Sequence, residues 1–74
     1  MLAQVYEGRH PGVAAIARYF AYDHLPDGLR HVSGQCSLLA EDMIRGLPDG
    51  PELTAGLRKL LEAKDCFVRA ALDR

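Results

Sequence analysis

The sequence predicts an all-α domain: an antiparallel helical hairpin, with helices at about residues 26–46 and 51–72, behind a short helix at about 11–22. Three observations carry that expectation. Apolar residues recur every three or four positions in three separate segments. Clusters of proline and glycine divide the segments: His10-Pro11-Gly12, Leu25-Pro26-Asp27-Gly28, and Gly46-Leu47-Pro48-Asp49-Gly50-Pro51. No segment alternates strictly or concentrates β-branched residues as a strand does. The 74 residues read as one domain, 1–74, with residues 1–10 as an N-terminal lead.

Each proline reads as a helix start, because the N–H it lacks has no partner in a first helical turn. In the first segment, Val13, Ile16, Ala17 and Phe20 share a face. In the second, Leu29, Val32, Cys36, Leu39, Ala40 and Met43 form a stripe that Leu25 and Leu47 extend, and Gly46 supplies the stop. Leu38 and Ile44 fall off that stripe on opposite flanks. The third segment carries a broad arc of Leu53, Leu57, Leu60, Leu61, Phe67, Val68, Ala71 and Leu72. Arg58, Glu62, Asp65, Arg69 and Asp73 lie on its opposite flank at spacings of three and four, with both signs interspersed. The short Pro/Gly loop between the second and third segments implies an antiparallel pair. The first helix then lies across one end or serves a neighbouring subunit.

A chain this short buries only about 60% of the surface its unfolded form exposes. Disulfides, a metal or self-association are the usual remedies. Cys36 and Cys66 are the only cysteines, without zinc spacing, and read as small buried hydrophobes rather than as a bridge. Self-association remains. Gly56, Ala63, Cys66 and Ala70 form a small-residue face on the third helix away from the leucine arc, read as a subunit interface or, more plainly, as an exposed alanine-rich face of good helix propensity.

Composition narrows function further. A net charge of −1 with 26% charged residues lacks the basic footprint of a duplex-binding protein. The acidic Glu62, Asp65 and Asp73 weigh equally against a DNA-reading third helix. Neither a signal peptide nor an apolar membrane span is read, so a cytoplasmic location is expected. No phosphate loop, dinucleotide fingerprint or zinc motif occurs, and His10, His24 and His31 make no metal-like arrangement. The expectation is a non-enzyme without metal or cofactor.

Binding chemistry concentrates near the N-terminus. Tyr6, Arg9, His10, Arg18, Tyr19, Tyr22, His24, Arg30 and His31 crowd together, and all three tyrosines are among them. Aromatic faces stack on bases and guanidinium groups pair with phosphate, a combination suited to a small phosphorylated nucleotide. The plainer alternative is tyrosines packed at helix edges beside solvated arginines. Lys64 projects from the middle of the third helix's apolar arc. Either its stem packs while the ammonium reaches water, or it is a pocket cation facing an anion.

The stretch Gly50-Pro51-Glu52-Leu53-Thr54-Ala55-Gly56-Leu57-Arg58-Lys59-Leu60-Leu61-Glu62-Ala63-Lys64-Asp65-Cys66-Phe67-Val68-Arg69-Ala70-Ala71 resembles the second hairpin helix of a group of phage proteins. These are the cyclic-oligonucleotide sponges that counter CBASS and Thoeris defence. Leu38-Leu39-Ala40 also fits that hairpin, and the similarity covers roughly residues 25–72. The lead with His10-Pro11 departs from the family pattern. The resemblance implies a helical hairpin in a compact homo-oligomer, often a hexamer, acting in the host-cell cytoplasm in immune evasion. The implied ligand is a cyclic di- or trinucleotide or a cyclic ADP-ribose-type signal, held without cleavage. Tyr19 or Tyr22 would stack on a base; Arg18, Arg30, Lys59, Lys64 and Arg69 would hold phosphates. The competing expectation is a helical adaptor that docks on another protein through an apolar face.

Overall fold

The structure, a computed structural model, describes residues 9–22 and 25–73. Tyr6, His24 and most of the expected N-terminal lead lie outside the described residues. Within them the chain is all-helical, in the order α1 (Pro11–Ala17), a 3₁₀ turn (Arg18–Phe20), α2 (Asp27–Gly46) and α3 (Pro51–Leu72). No strand occurs among the described residues.

Local chemistry explains most boundaries. His10 caps α1: its Nδ1 accepts the Gly12 N–H at 3.0 Å, and Pro11 stands in the first turn. Pro26 is the N-cap of α2, with Asp27 in a first turn whose free N–H groups favour negative charge. Pro51 and Glu52 open α3 in the same way. The first helix is shorter than the expected 11–22. Its α-helical hydrogen bonding stops at Ala17, the 3₁₀ turn carries Phe20 inward, and Ala21 is extended. Tighter winding rotates the buried Phe20 toward the core, and extended Ala21 leads to Tyr22, whose ring lies over Gly34.

The core is Val13, Ile16, Ala17 and Phe20 from the first segment, Cys36, Ala40 and Ile44 from α2, and Leu53 and Leu57 from α3. Leu60 and Leu61 pack against it, partly buried. The four residues expected on one face of the first helix are all buried, and α1 packs against α3 while the 3₁₀ turn packs against α2 of the same chain.

The buried face of α2 is rotated from the expected stripe. Ser33, Gly34, Ser37 and Ala40 are buried along with Ile44, which was expected off the stripe. Leu39 and Met43, expected within it, are 47% and 40% exposed. Small residues let another segment approach closely: a Cβ at Gly34 would sit 3.3 Å from Tyr22 Cε2. The first segment occupies this small-residue face, leaving the larger leucines outside. The α3 arc is divided likewise, with Leu53 and Leu57 buried but Phe67 and Leu72 exposed.

Arg9 ties the start of the described chain to the end of α2. Its guanidinium donates to the carbonyls of Ile44 and Leu47 and to Asp49 Oδ1, the last at 2.7 Å. The His10 N–H donates to the other Asp49 oxygen at 3.0 Å. A cation at these carbonyls satisfies acceptors that have no partner within the helix. The contact also sets where α1 begins.

Candidate functional site

The 3₁₀ turn, the start of α2 and the last third of α3 meet in a cleft of about 390 Å³. Arg18, Tyr19, Lys64 and Arg69, four of the seven residues singled out from the sequence, line it together. Among the described residues their counterpart in charge is Asp65. Ala21, Leu25 and Val68 supply apolar wall, and Ser33 completes the lining. The charged groups Arg18, Asp65 and Arg69 are exposed, whereas Leu25 and Val68 are half-buried and Ser33 is buried. The site therefore has an ionic rim and an apolar interior.

Each basic group is held differently. The Arg18 guanidinium lies 5.1 Å from the centre of the Tyr19 ring and donates to the Tyr19 hydroxyl at 3.2 Å. That pairing fixes an aromatic ring and a cation side by side, with Tyr19 still 54% exposed. Lys64 is mostly covered, its side chain 13% exposed. Its Nζ donates to the Tyr19 carbonyl at 2.9 Å, stands 3.5 Å from Asp65 Oδ1 and 6.0 Å from the Phe20 ring centre. Both sequence readings of this lysine meet here: the stem packs, and the ammonium faces the cleft. An ammonium has three donors, so the Tyr19 carbonyl leaves capacity for an incoming anion.

Among the described residues Arg69 donates one weak hydrogen bond, to Cys66 Sγ at 3.3 Å. The contrast with other arginines is informative. Arg9, Arg30 and Arg45 pair with Asp49, Asp27 and Glu41. Among the described residues, Arg18, Arg58 and Arg69 have no carboxylate partner, and of these Arg18 and Arg69 line the cleft. Two guanidiniums without a carboxylate partner among the described residues stand beside a lysine whose one acidic neighbour there is Asp65, an arrangement that can attract an anion.

The other three predicted positions lie elsewhere. Tyr22 packs on Gly34, Arg30 is engaged by Asp27 at the start of α2, and Lys59 is exposed on α3. Sequence reasoning missed Ala21, Leu25, Ser33, Asp65 and Val68 as parts of the cleft. The spacing of Ser33 and Ser37, one turn apart, was the available signal for a small-residue face. The assumption that large apolar residues mark the buried side obscured it.

A second concave feature runs along the side of α2 and α3 away from the cleft. Val32, Cys36, Leu39, Leu60, Phe67 and Ala71 line about 650 Å³ of it. A further 450 Å³ continues past Leu39 and Leu60 to Met43, Leu47, Leu53 and Gly56. Cys36 and Cys66 are both free; Cys36 is buried as expected, whereas Cys66 is exposed, contrary to the expectation, because it lies off the packed face of α3. Burial pushes the Cys36 thiol up, against the opposing pull of Lys64, so it stays protonated at neutral pH and lacks a nucleophile's activation. Among the described residues no group of three His, Cys, Asp or Glu is placed to hold a metal, and no helix is long and apolar enough to cross a membrane.

The chain matches no family model, no curated protein and no solved structure.

Proposed function

We propose that this chain is a non-catalytic sponge that sequesters a cyclic oligonucleotide immune signal, as the phage counter-defence proteins against CBASS and Thoeris do. The observation that carries the reading is the cleft: Arg18, Lys64 and Arg69 converge beside the exposed Tyr19 ring. Phosphates would sit on the cations and a base on the ring. In this reading the ligand is held intact and withheld from its effector. An antiparallel α2–α3 hairpin that assembles into a homo-oligomer, with a hexamer favoured, belongs to the same proposal. The apolar groove supports it. Two helices about 30 Å long and together about 20 Å wide present roughly 600 Å². Pairing two such faces buries about 1,200 Å², the lower bound for a specific interface.

Isothermal titration of the verified oligomer against cyclic di- and trinucleotides and cyclic ADP-ribose isomers tests the function. Saturable heat with one member, and recovery of that ligand unchanged, is the expected result. Absence of heat across the panel ends the reading.

The same groove supports a second reading, an adaptor whose apolar face meets a different protein. Size-exclusion chromatography with light scattering separates the two. A defined oligomer supports the sponge; a monomer supports the adaptor.

A further inference from the structure

Ser33 stands apart from every other polar residue of the cleft. It is fully buried, and its Oγ has no hydrogen-bond partner among the described residues. Leaving a buried hydroxyl unpaired costs about 1–3 kcal/mol, and folded proteins seldom do so without a reason. A serine in a helix has a ready alternative, back-bonding to the carbonyl one turn earlier. Ser33 does not take it. An alanine at this position would fill nearly the same space without the unpaired oxygen.

The position of Ser33 suggests what the hydroxyl is for. The residue lines the cleft together with half-buried Leu25 and Val68, while Arg18 and Arg69 remain at the exposed edge. Its Oγ is covered in the free protein, so a ligand reaches it only by displacing that cover. A phosphate is best served by those outer cations and poorly by the apolar interior. A nucleobase has the opposite requirements: flat apolar faces to lie against Leu25 and Val68, and a polar edge needing at least one hydrogen bond. A hydroxyl both donates and accepts, so it can meet either kind of base-edge atom.

We propose that Ser33 is the base-edge contact of the cleft, and that the ligand inserts a nucleobase between Leu25 and Val68 while its phosphates stay on Arg18, Lys64 and Arg69. The inference rests on the nucleotide-binding reading above and adds to it a specificity-determining residue and an orientation. Because its hydroxyl is unsatisfied in the free protein, Ser33 contributes to binding without contributing to folding. That asymmetry separates it from a structural serine.

The test uses full-length wild type and Ser33→Ala, titrated with cyclic di-AMP, cyclic di-GMP and mixed cyclic GMP–AMP, and melted with and without each ligand. Removing one neutral hydrogen bond should weaken binding about three- to tenfold. The melting temperature of ligand-free Ser33→Ala should equal or exceed that of wild type, while its ligand-induced rise shrinks. Ser33→Thr keeps the hydroxyl but adds a methyl group, and should lose affinity through crowding while retaining the wild-type order of preference among the three ligands. Unchanged affinity in Ser33→Ala, with wild type binding measurably, overturns the inference and leaves the sponge reading standing. A drop of several degrees in ligand-free Ser33→Ala overturns it too, since the hydroxyl would then have a structural partner. Failure of wild type to bind any of the three is the separate result that removes the nucleotide reading itself.

Discussion

At the scale of single residues, the cleft divides its cations by the work they already do in the fold. Among the described residues Arg69 makes one side-chain hydrogen bond, to Cys66 Sγ. Arg69→Ala should therefore leave the melting temperature within about a degree of wild type. Loss of a charge-assisted hydrogen bond of about 1.5–3 kcal/mol should weaken nucleotide binding roughly ten- to a hundredfold. Titration and melting on the same preparation check both halves. Asp49 makes the opposite case, a charge engaged entirely by the fold. The His10 N–H, then the Arg9 guanidinium, hold its carboxyl below the usual aspartate range. A lowered native value means the unfolded chain takes up the proton first. The associated stability is present above the unfolded value and lost as pH falls through the native one. Acid titration of Asp49→Asn should show a flatter loss of melting temperature below about pH 4 than wild type. Neutral-pH nucleotide affinity should be unchanged, because Asp49 lies outside the cleft.

Among the elements, the first segment decides how the other two are used. Phe20 is fully buried where the 3₁₀ turn meets α2. Phe20→Ala should cost about 3–5 kcal/mol, read as a lowered denaturant midpoint. In a 74-residue domain that is a large share of the total stability. The spacing of Val13, Ile16, Ala17 and Phe20 made this face legible in the sequence, as did the proline starts of α1 and α3. The bound at Tyr22 was not legible, because helical periodicity cannot register a switch to 3₁₀ winding that is driven by a tertiary contact. The orientation of α2 was hidden for a related reason. Its packing face is built from Ser33, Gly34, Ser37 and Ala40, which hydropathy ranks below Leu39 and Met43, and only the arrival of the first segment chooses between the two sides. The cleft was half legible. Arg18 and Tyr19 stand out by composition and Lys64 by its place in an apolar arc, but Arg69 meets them only because α3 returns alongside the 3₁₀ turn.

For the whole molecule, the consequence of that choice is an uncovered apolar strip. Leu39, Met43, Leu47 and Phe67 are each at least 40% exposed, and lie along one side of the α2–α3 pair. A domain this small gains much from covering such a strip. If sister copies cover it, Met43→Glu should convert the assembly to monomers in light scattering, because a carboxylate cannot be buried there without a partner. The monomer should still melt cooperatively, since Met43 is outside the core. An assembly unaffected by Met43→Glu, Leu39→Glu and Phe67→Glu would place the subunit contact on another surface.

The short first helix is fastened at both extremities. Arg9 clasps the closing carbonyls of α2 on one side of the molecule, and Lys64 grips the Tyr19 carbonyl on the other. An anion taken up by the remaining donors of Lys64 leaves both clasps shut, so the segment from Arg9 to Tyr19 would stay pinned while the cleft fills.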